Sequence, residues 1–159
     1  MQIRRAGVED APAISALITS HLPLLTVRPD GAGAGRFLES IAPQAIRGYV
    51  TAPNFLYSVA QAGSTLAGVV AVRDGTHLFH LFVAGEFQRQ GLAKRLWTHA
   101  LRHAQSAGRV DTFTVHSSLF AVPVYRRLGF AVCGEPVEQH GVVFVPMRTA
   151  PAGVPGVPV

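Results

Sequence analysis

Cysteine is almost missing from this chain of 159 residues: Cys133 stands alone. That excludes an internal disulfide framework and any multi-cysteine zinc site, and it fits a reducing compartment. Lysine is equally scarce, with Lys94 beside 13 arginines. Charged residues reach only 14%, against roughly 25% in an average soluble domain. No run of about five or six like charges forms the basic tail of a nucleic-acid binder, and aromatic residues do not interleave with basic ones, so no specific nucleic-acid partner is expected. The longest stretch of apolar residues and glycine, Leu66–Val72, falls far short of the roughly 18 residues that cross a bilayer, so no membrane association is expected. Arg4, Arg5, Glu9 and Asp10 are followed by a segment broken by Ser15, Thr19, Ser20, His21 and Pro23. Such a start lacks a signal-peptide apolar region, and the expected location is cytoplasmic.

What is present is a core. The chain is 48% hydrophobic, enough for one domain of about 150 residues. Its net charge of +5 exerts a mild attraction on anions such as phosphates. Gln2–Arg5 reads as a strand, and Asp10 as the N-cap of a helix carrying Ile14, Leu17, Ile18, Leu22 and Leu25. After a glycine-rich loop at Arg28–Gly35, Phe37, Ile41, Ala45 and Tyr49 suggest helical pieces interrupted at Pro43. Phe55–Gln61, Leu66–Arg73 and His77–Val83 read as an antiparallel meander. Gln90–Gln105 is amphipathic, with Leu92, Leu96, Trp97, Ala100, Leu101 and Ala104 on its apolar face. A strand at Asp111–Val115, a short helix at Ala121–Leu128, and strands from Phe130 and at Val142–Met147 complete the order. Such an order implies an α/β fold, a mixed sheet with helices packed on its faces.

The segment Gln88-Arg89-Gln90-Gly91-Leu92-Ala93 joins a strand to a helix start. Unpaired N–H groups and partial positive charge at a helix N-terminus bind phosphate oxygens without any side chain. Gly91 and Ala93 let a ligand approach, while Arg89, Lys94 and Arg95 add cationic charge, an arrangement suited to a diphosphate. The G-x-G-x-x-G and Walker A patterns are both absent. Taken alone, the hexapeptide does not separate phosphate binding from plain packing of a glycine at a helix start.

Further segments bear on that choice. Ser118-Leu-Phe-Ala121-Val-Pro-Val-Tyr125-Arg-Arg-Leu-Gly129-Phe130 follows about 32 residues after the loop, Leu81-Phe82-Val83 precedes it, and Val143-Phe-Val-Pro-Met147 closes the chain's last strand. With these pieces in order, the chain resembles the GNAT superfamily of acyl-CoA-dependent N-acetyltransferases. Gln88–Ala93 is similar to the family's (Arg/Gln)-x-x-Gly-x-(Gly/Ala) loop, and the Ser118–Phe130 segment to its Asn-x-x-Ala-x-x-x-Tyr-x-x-x-Gly-Phe signature. The likeness spans roughly residues 2–148. It implies a GNAT-like α/β fold over residues 1–149, with a mixed, mostly antiparallel central sheet flanked by helices on both faces. The Pro/Gly-rich residues 150–159 are expected to form a flexible tail.

The resemblance also implies a reaction: transfer of an acetyl group from acetyl-CoA to a primary amine of a small molecule or peptide. Gln88, Arg89, Gln90, Gly91, Leu92, Ala93 and Lys94 are expected around the pyrophosphate. Leu81, Phe82 and Val83 are expected along the pantetheine, their strand splayed from the next by a bulge. Ser118, where many relatives carry Asn, is expected nearby. Tyr125 matches the family's general acid. For the base, His77 is the first choice and His80, opposite in parity on the same strand, the second; one is expected to point into the cleft and the other to the sheet's far face. Glu86 and His116 are outside candidates. No metal is expected: His99 and His103 lack a third ligand and read as a solvated helix face. Cys133 reads as a small buried hydrophobe. A non-catalytic acyl-CoA-binding sensor with the same fold is the alternative, and acetylation of charged tRNA a third reading that lacks a concentrated basic patch. The acceptor would be set by Leu24–Asn54 and Val137–Gly141, and a homodimer is plausible.

Overall fold

The computed structural model describes residues 1–108 and 110–150; the expected tail beyond Ala150 lies outside the described residues. In chain order the described residues form β1 (Gln2–Arg5), α1 (Ala11–Thr19), α2 (Leu22–Leu25), α3 (Gly35–Ser40), α4 (Pro43–Thr51), β2 (Phe55–Ala62), β3 (Thr65–Arg73) and β4 (His77–Val83). Then follow α5 (Leu92–Ser106), β5 (Thr114–Ser117), α6 (Val122–Arg127), β6 (Phe130–Val132), β7 (Val137–Gln139) and β8 (Val142–Thr149). The sheet runs β1-β2-β3-β4-β5-β8-β6, with β7 paired to the first residues of β8. Only β4 and β5 run parallel; the other pairings are antiparallel. The mixed, mostly antiparallel sheet with helices on both faces is thus the one the sequence implies. No helix among the described residues is long and apolar enough to cross a membrane.

Alternation along the central strands divides the core in two. Val70 and Val72 of β3 join Leu92, Leu96, Trp97 and Ala100 of α5 on one face. Val69 and Ala71 join Ile14 and Ile18 of α1 and Ile46 of α4 on the other. Gly68 sets how closely α5 sits on β3: a Cβ there would lie 2.8 Å from Leu96 Cδ1 and 3.0 Å from the Phe82 carbonyl oxygen.

Local chemistry departs from the sequence pattern at several points. The first helix is two: Ser20 Oγ donates to the Leu17 carbonyl at 2.6 Å and His21 Nδ1 lies 3.0 Å from the same oxygen, ending α1 before Pro23 starts α2. β5 starts three residues later than expected, at Thr114, and β7 occupies what reads as a loop. Cys133 is exposed rather than buried, because it follows β6, an edge strand in which only Phe130 reaches the core. Asp10 is helical itself (φ −81°) and makes no side-chain cap. Its carboxylate instead accepts from the Gly7 N–H at 2.8 Å and from both Nη atoms of Arg4 at 2.8 and 2.9 Å.

That fork generates a prediction. Hydrogen bonds from Arg4, then from Gly7, hold the Asp10 carboxyl below its ordinary 3.8. Its stabilisation is therefore complete above that value and is lost as pH falls through the depressed folded value. Asp10→Asn lowers the unfolding free energy at neutral pH by about 2 kcal/mol. Urea midpoints of variant and wild type, separated at neutral pH, converge in acid; a gap that persists unchanged near pH 2 contradicts the assignment.

Candidate active site

β4 and β5 pair at only two positions, His77 with Thr114 and Leu78 with Val115. Beyond them the strands part. Ala71 pairs with His80 and Val72 with Leu78, so Phe79 is an extra residue, and such a bulge bends the strand that carries it. Between the parted edges lies a cavity of about 930 Å³, lined by Leu81, Phe82 and Val83 of β4 and by Val115 and His116 of β5.

The helix start that the sequence singles out opens onto the same cavity. A 3-10 turn at Gly85–Phe87 leads from β4 into the loop. Gln88 Nε2 donates to the Val83 carbonyl at 3.0 Å and Gln90 Nε2 to the Glu86 carbonyl at 3.1 Å, tying the loop to its own stem. Arg89 (φ 61°) and Gly91 (φ 78°) are both left-handed, so backbone N–H groups turn inward as in an anion-binding nest. Gly91 is the N-cap of α5 and supplies no side-chain cap; the N–H groups of Leu92, Ala93 and Lys94 therefore have no partner within the helix. A Cβ on Gly91 would meet nothing within 4 Å, so the backbone angle rather than crowding within the protein requires glycine here. Gln88, Arg89, Gly91, Leu92, Ala93 and Lys94 line the cavity; Gln90 is not among the lining residues.

The opposite wall comes from α6 and the turn before it. Ser118, Tyr125 and Arg127 line the cavity, and Ser118 Oγ accepts from the Ala121 N–H at 3.1 Å, shaping the turn into α6. Tyr125 is buried and meets Phe130 edge-on at 5.7 Å. Burial pushes its phenol above the ordinary value, so the hydroxyl holds its proton at neutral pH.

Of the histidines singled out from sequence, neither His77 nor His80 lines the cavity, whereas His116 and His21 do. The bulge is the reason. Strict alternation from Leu78, which packs on the α5 face, would put His80 on that face too; the extra Phe79 turns it to the other side. There His80 is buried, 2.7 Å from the Tyr57 hydroxyl through Nδ1, and stacks on Phe79 at 4.2 Å. Burial, with Arg73 and His77 nearby, pushes it down to about 3. His77 Nδ1 lies 2.8 Å from Thr114 Oγ1, and its ring meets His116 edge-on at 4.9 Å. Burial and then His116 push His77 down to about 4. His116 stacks on Phe144 at 4.2 Å and is lowered by burial and by Arg73. On α5, His99 is half-buried rather than solvated, 3.1 Å from Ser58 Oγ through Nε2.

Several lining residues carry no motif: His21, Leu24, Leu25, Phe79 and Phe120. Only Phe120 among these five had a signal in the sequence. Leu119 and Phe120 form an apolar pair between Ser118 and Ala121, outside any periodic element, and Phe120 is 64% exposed.

With this geometry in view, the likenesses to known proteins fall into place. Residues 21–151 match the model of the acetyltransferase (GNAT) domain. The chain is 32% identical to N-acetyltransferase 8 of Homo sapiens over 102 residues, which is 56% of this chain and 44% of that relative, so it spans less than half the relative's length. The solved PaiA N-acetyltransferase of Thermoplasma acidophilum, in complex with coenzyme A, superposes with a TM-score of 0.74 at 16% identity, covering 94% of this chain and 98% of its own. A phosphinothricin acetyltransferase of Sinorhizobium meliloti, in complex with AcCoA, gives 0.70 at 17%, covering 98% and 94%. At these identities the two structures attest to the fold.

The Tyr57–His80 contact is open to test. Tyr57→Phe leaves a buried imidazole nitrogen without its partner and lowers the unfolding free energy by about 1–3 kcal/mol. Chemical denaturation measures this directly, and a variant as stable as the wild type contradicts the structural weight given to the pair.

Proposed function

The chain belongs to the GNAT acetyltransferase family, and from that premise we propose that it transfers the acetyl group of acetyl-CoA directly to a primary amine. The observation that carries the proposal is the convergence on one cavity of the parted β4–β5 edges, the uncapped start of α5 and the buried Tyr125. The residues present suit the cosubstrate. Phosphate oxygens find donors in the Leu92, Ala93 and Lys94 N–H groups, and positive charge in Arg89, Lys94 and Arg127. Gln88 and Gln90 hold the loop, and Ser118 the facing turn. The pantetheine then runs beside Leu81, Phe82 and Val83, whose edge β5 leaves unpaired. Coenzyme A and AcCoA in the two solved relatives support this half of the reading.

In the transfer, an ammonium first gives up a proton. Its nitrogen then forms a bond to the thioester carbonyl carbon and gives up a second proton as the carbon–sulfur bond breaks, so that the departing sulfur takes one proton and the other is released to water. Tyr125, held protonated by burial, is the donor to sulfur. On the acceptor side His116 and His21 both line the cavity, and His77 stands behind His116, anchored on Thr114. We assign the amine's proton to this pair, with His116 in contact and His77 acting through it. His80, bonded to Tyr57, positions β4.

Tyr125→Phe should lower kcat by about 100-fold or more, while calorimetry finds coenzyme A affinity within about threefold of wild type; unchanged turnover removes the acid role. A base must be unprotonated, so kcat/KM falls as pH drops through its pKa. For His116, held below 6.5 by burial and Arg73, that limb lies on the acid side of 6.5 and disappears in His116→Gln. An identical pH profile in the variant contradicts the assignment. A chain that binds coenzyme A yet releases no thiol with any amine is the non-catalytic binder instead.

A further inference from the structure

The cavity has two ends of different chemistry. Toward α5 and α6, Arg89, Lys94 and Arg127 supply cations for phosphates. The other end, on the α1–α2 side of the sheet, is built from His21, Leu24, Leu25, Phe79, Phe82 and His116. His21 meets Phe82 edge-on at 5.3 Å and His116 lies flat on Phe144 at 4.2 Å, so both imidazoles present ring faces and edges within an aromatic wall. None of the described residues lining the cavity is an aspartate or glutamate. Behind the Phe79 part of this wall stands a cation: the Arg73 guanidinium lies over the Phe79 ring at 5.2 Å, with the exposed carboxylate of Asp74 3.7 Å from its Nε at the β3–β4 turn.

Resting on the transferase reading above, we infer that the acceptor is a monoamine: one amino group carried on an apolar or aromatic body, with no second cationic group. The amino group that reacts loses its charge before attack and so needs no carboxylate beside it. A second ammonium or guanidinium keeps its charge, and in this end it would be desolvated against aromatic rings, with no carboxylate among the described lining residues to pair with and Arg73 behind Phe79. An apolar body, in contrast, covers Leu24, Leu25, Phe79 and Phe82 and removes their surface from water. Two sources carry this chemistry, a free arylalkylamine and the N-terminal residue of a peptide with an apolar side chain. The bonds change as in any such transfer: carbon–nitrogen forms, carbon–sulfur breaks, one proton reaches sulfur and one is released to water.

The test is thiol release from acetyl-CoA by the full chain with three probes: 2-phenylethylamine, the dipeptide amide Phe-Leu-NH2 and spermidine. Either aromatic monoamine should show a kcat/KM about tenfold or more above spermidine, and the better of the two identifies the source. Spermidine equal to or better than both overturns the inference and leaves the transferase reading standing. Thiol release with none of them or with any wider amine panel, while calorimetry still finds coenzyme A bound, overturns the transferase reading itself and the inference with it. Leu24→Glu places a carboxylate at this end on a side chain that is 42% exposed, where folding tolerates it. Its kcat/KM ratio of 2-phenylethylamine to spermidine should fall about tenfold, and an unchanged ratio contradicts the placement of the acceptor.

Discussion

A single extra residue in β4 governs the site. With Phe79 inserted opposite the Ala71–Val72 step, β4 bends after two paired positions with β5 and its later residues keep an unpaired edge. A backbone edge that faces a neighbouring strand makes sheet; one that faces a cavity offers donors and acceptors to a ligand. The same bulge reverses the side-chain alternation, so Leu81 and Val83 continue the α5 core while Phe79, His80 and Phe82 turn to the α1–α4 side. The gap therefore has one wall contiguous with each core, and both cores keep it open.

Electrostatics then divides the gap. α5 starts at it without a side-chain cap, with left-handed Arg89 and Gly91 before its first turn, and the positive partial charge of that N-terminus is reinforced by arginine and lysine rather than neutralised. The opposite end is aromatic and carries His116, whose imidazole is pushed toward neutrality, with His77, pushed the same way, behind it. A site with phosphate-seeking charge at one end and uncharged rings at the other suits a large anionic donor of an acyl group and a small acceptor that must become neutral. Tyr125, buried and lining the same cavity, is the residue to which the proposed reaction assigns the proton for sulfur.

Much of this was legible in the sequence, for identifiable reasons. α5 is amphipathic over its whole length, so its face reads correctly; its start falls at Leu92 rather than at the expected Gln90, after a glycine that the left-handed angle requires. The meander reads because β2 and β3 are joined by a short glycine turn and β3 and β4 by Asp74-Gly75. β7 did not read as a strand: three residues, Val-Glu-Gln, carry too few alternations to signal one. The bulge that the family resemblance implied is present, but the residues themselves did not place it. His77–Val83 is aromatic, aliphatic or imidazole at every position, and a strand apolar on both faces has no alternation whose slip could be seen. The orientation of His80 was lost with it, and so was the prominence of His116, which depends on β5 drawing away from β4 rather than on any spacing in its own segment.

The central claim is that main-chain amides at the start of α5 hold the paired phosphates of coenzyme A. Amide chemical shifts of 15N-labelled protein, followed as coenzyme A is added, test it most directly. The account predicts saturable shifts at Gly91, Leu92, Ala93 and Lys94, larger than those across α1 and α4, and loss of the effect when coenzyme A is replaced by pantetheine. Coenzyme A that binds with those amides unmoved, or pantetheine that moves them equally, would contradict it.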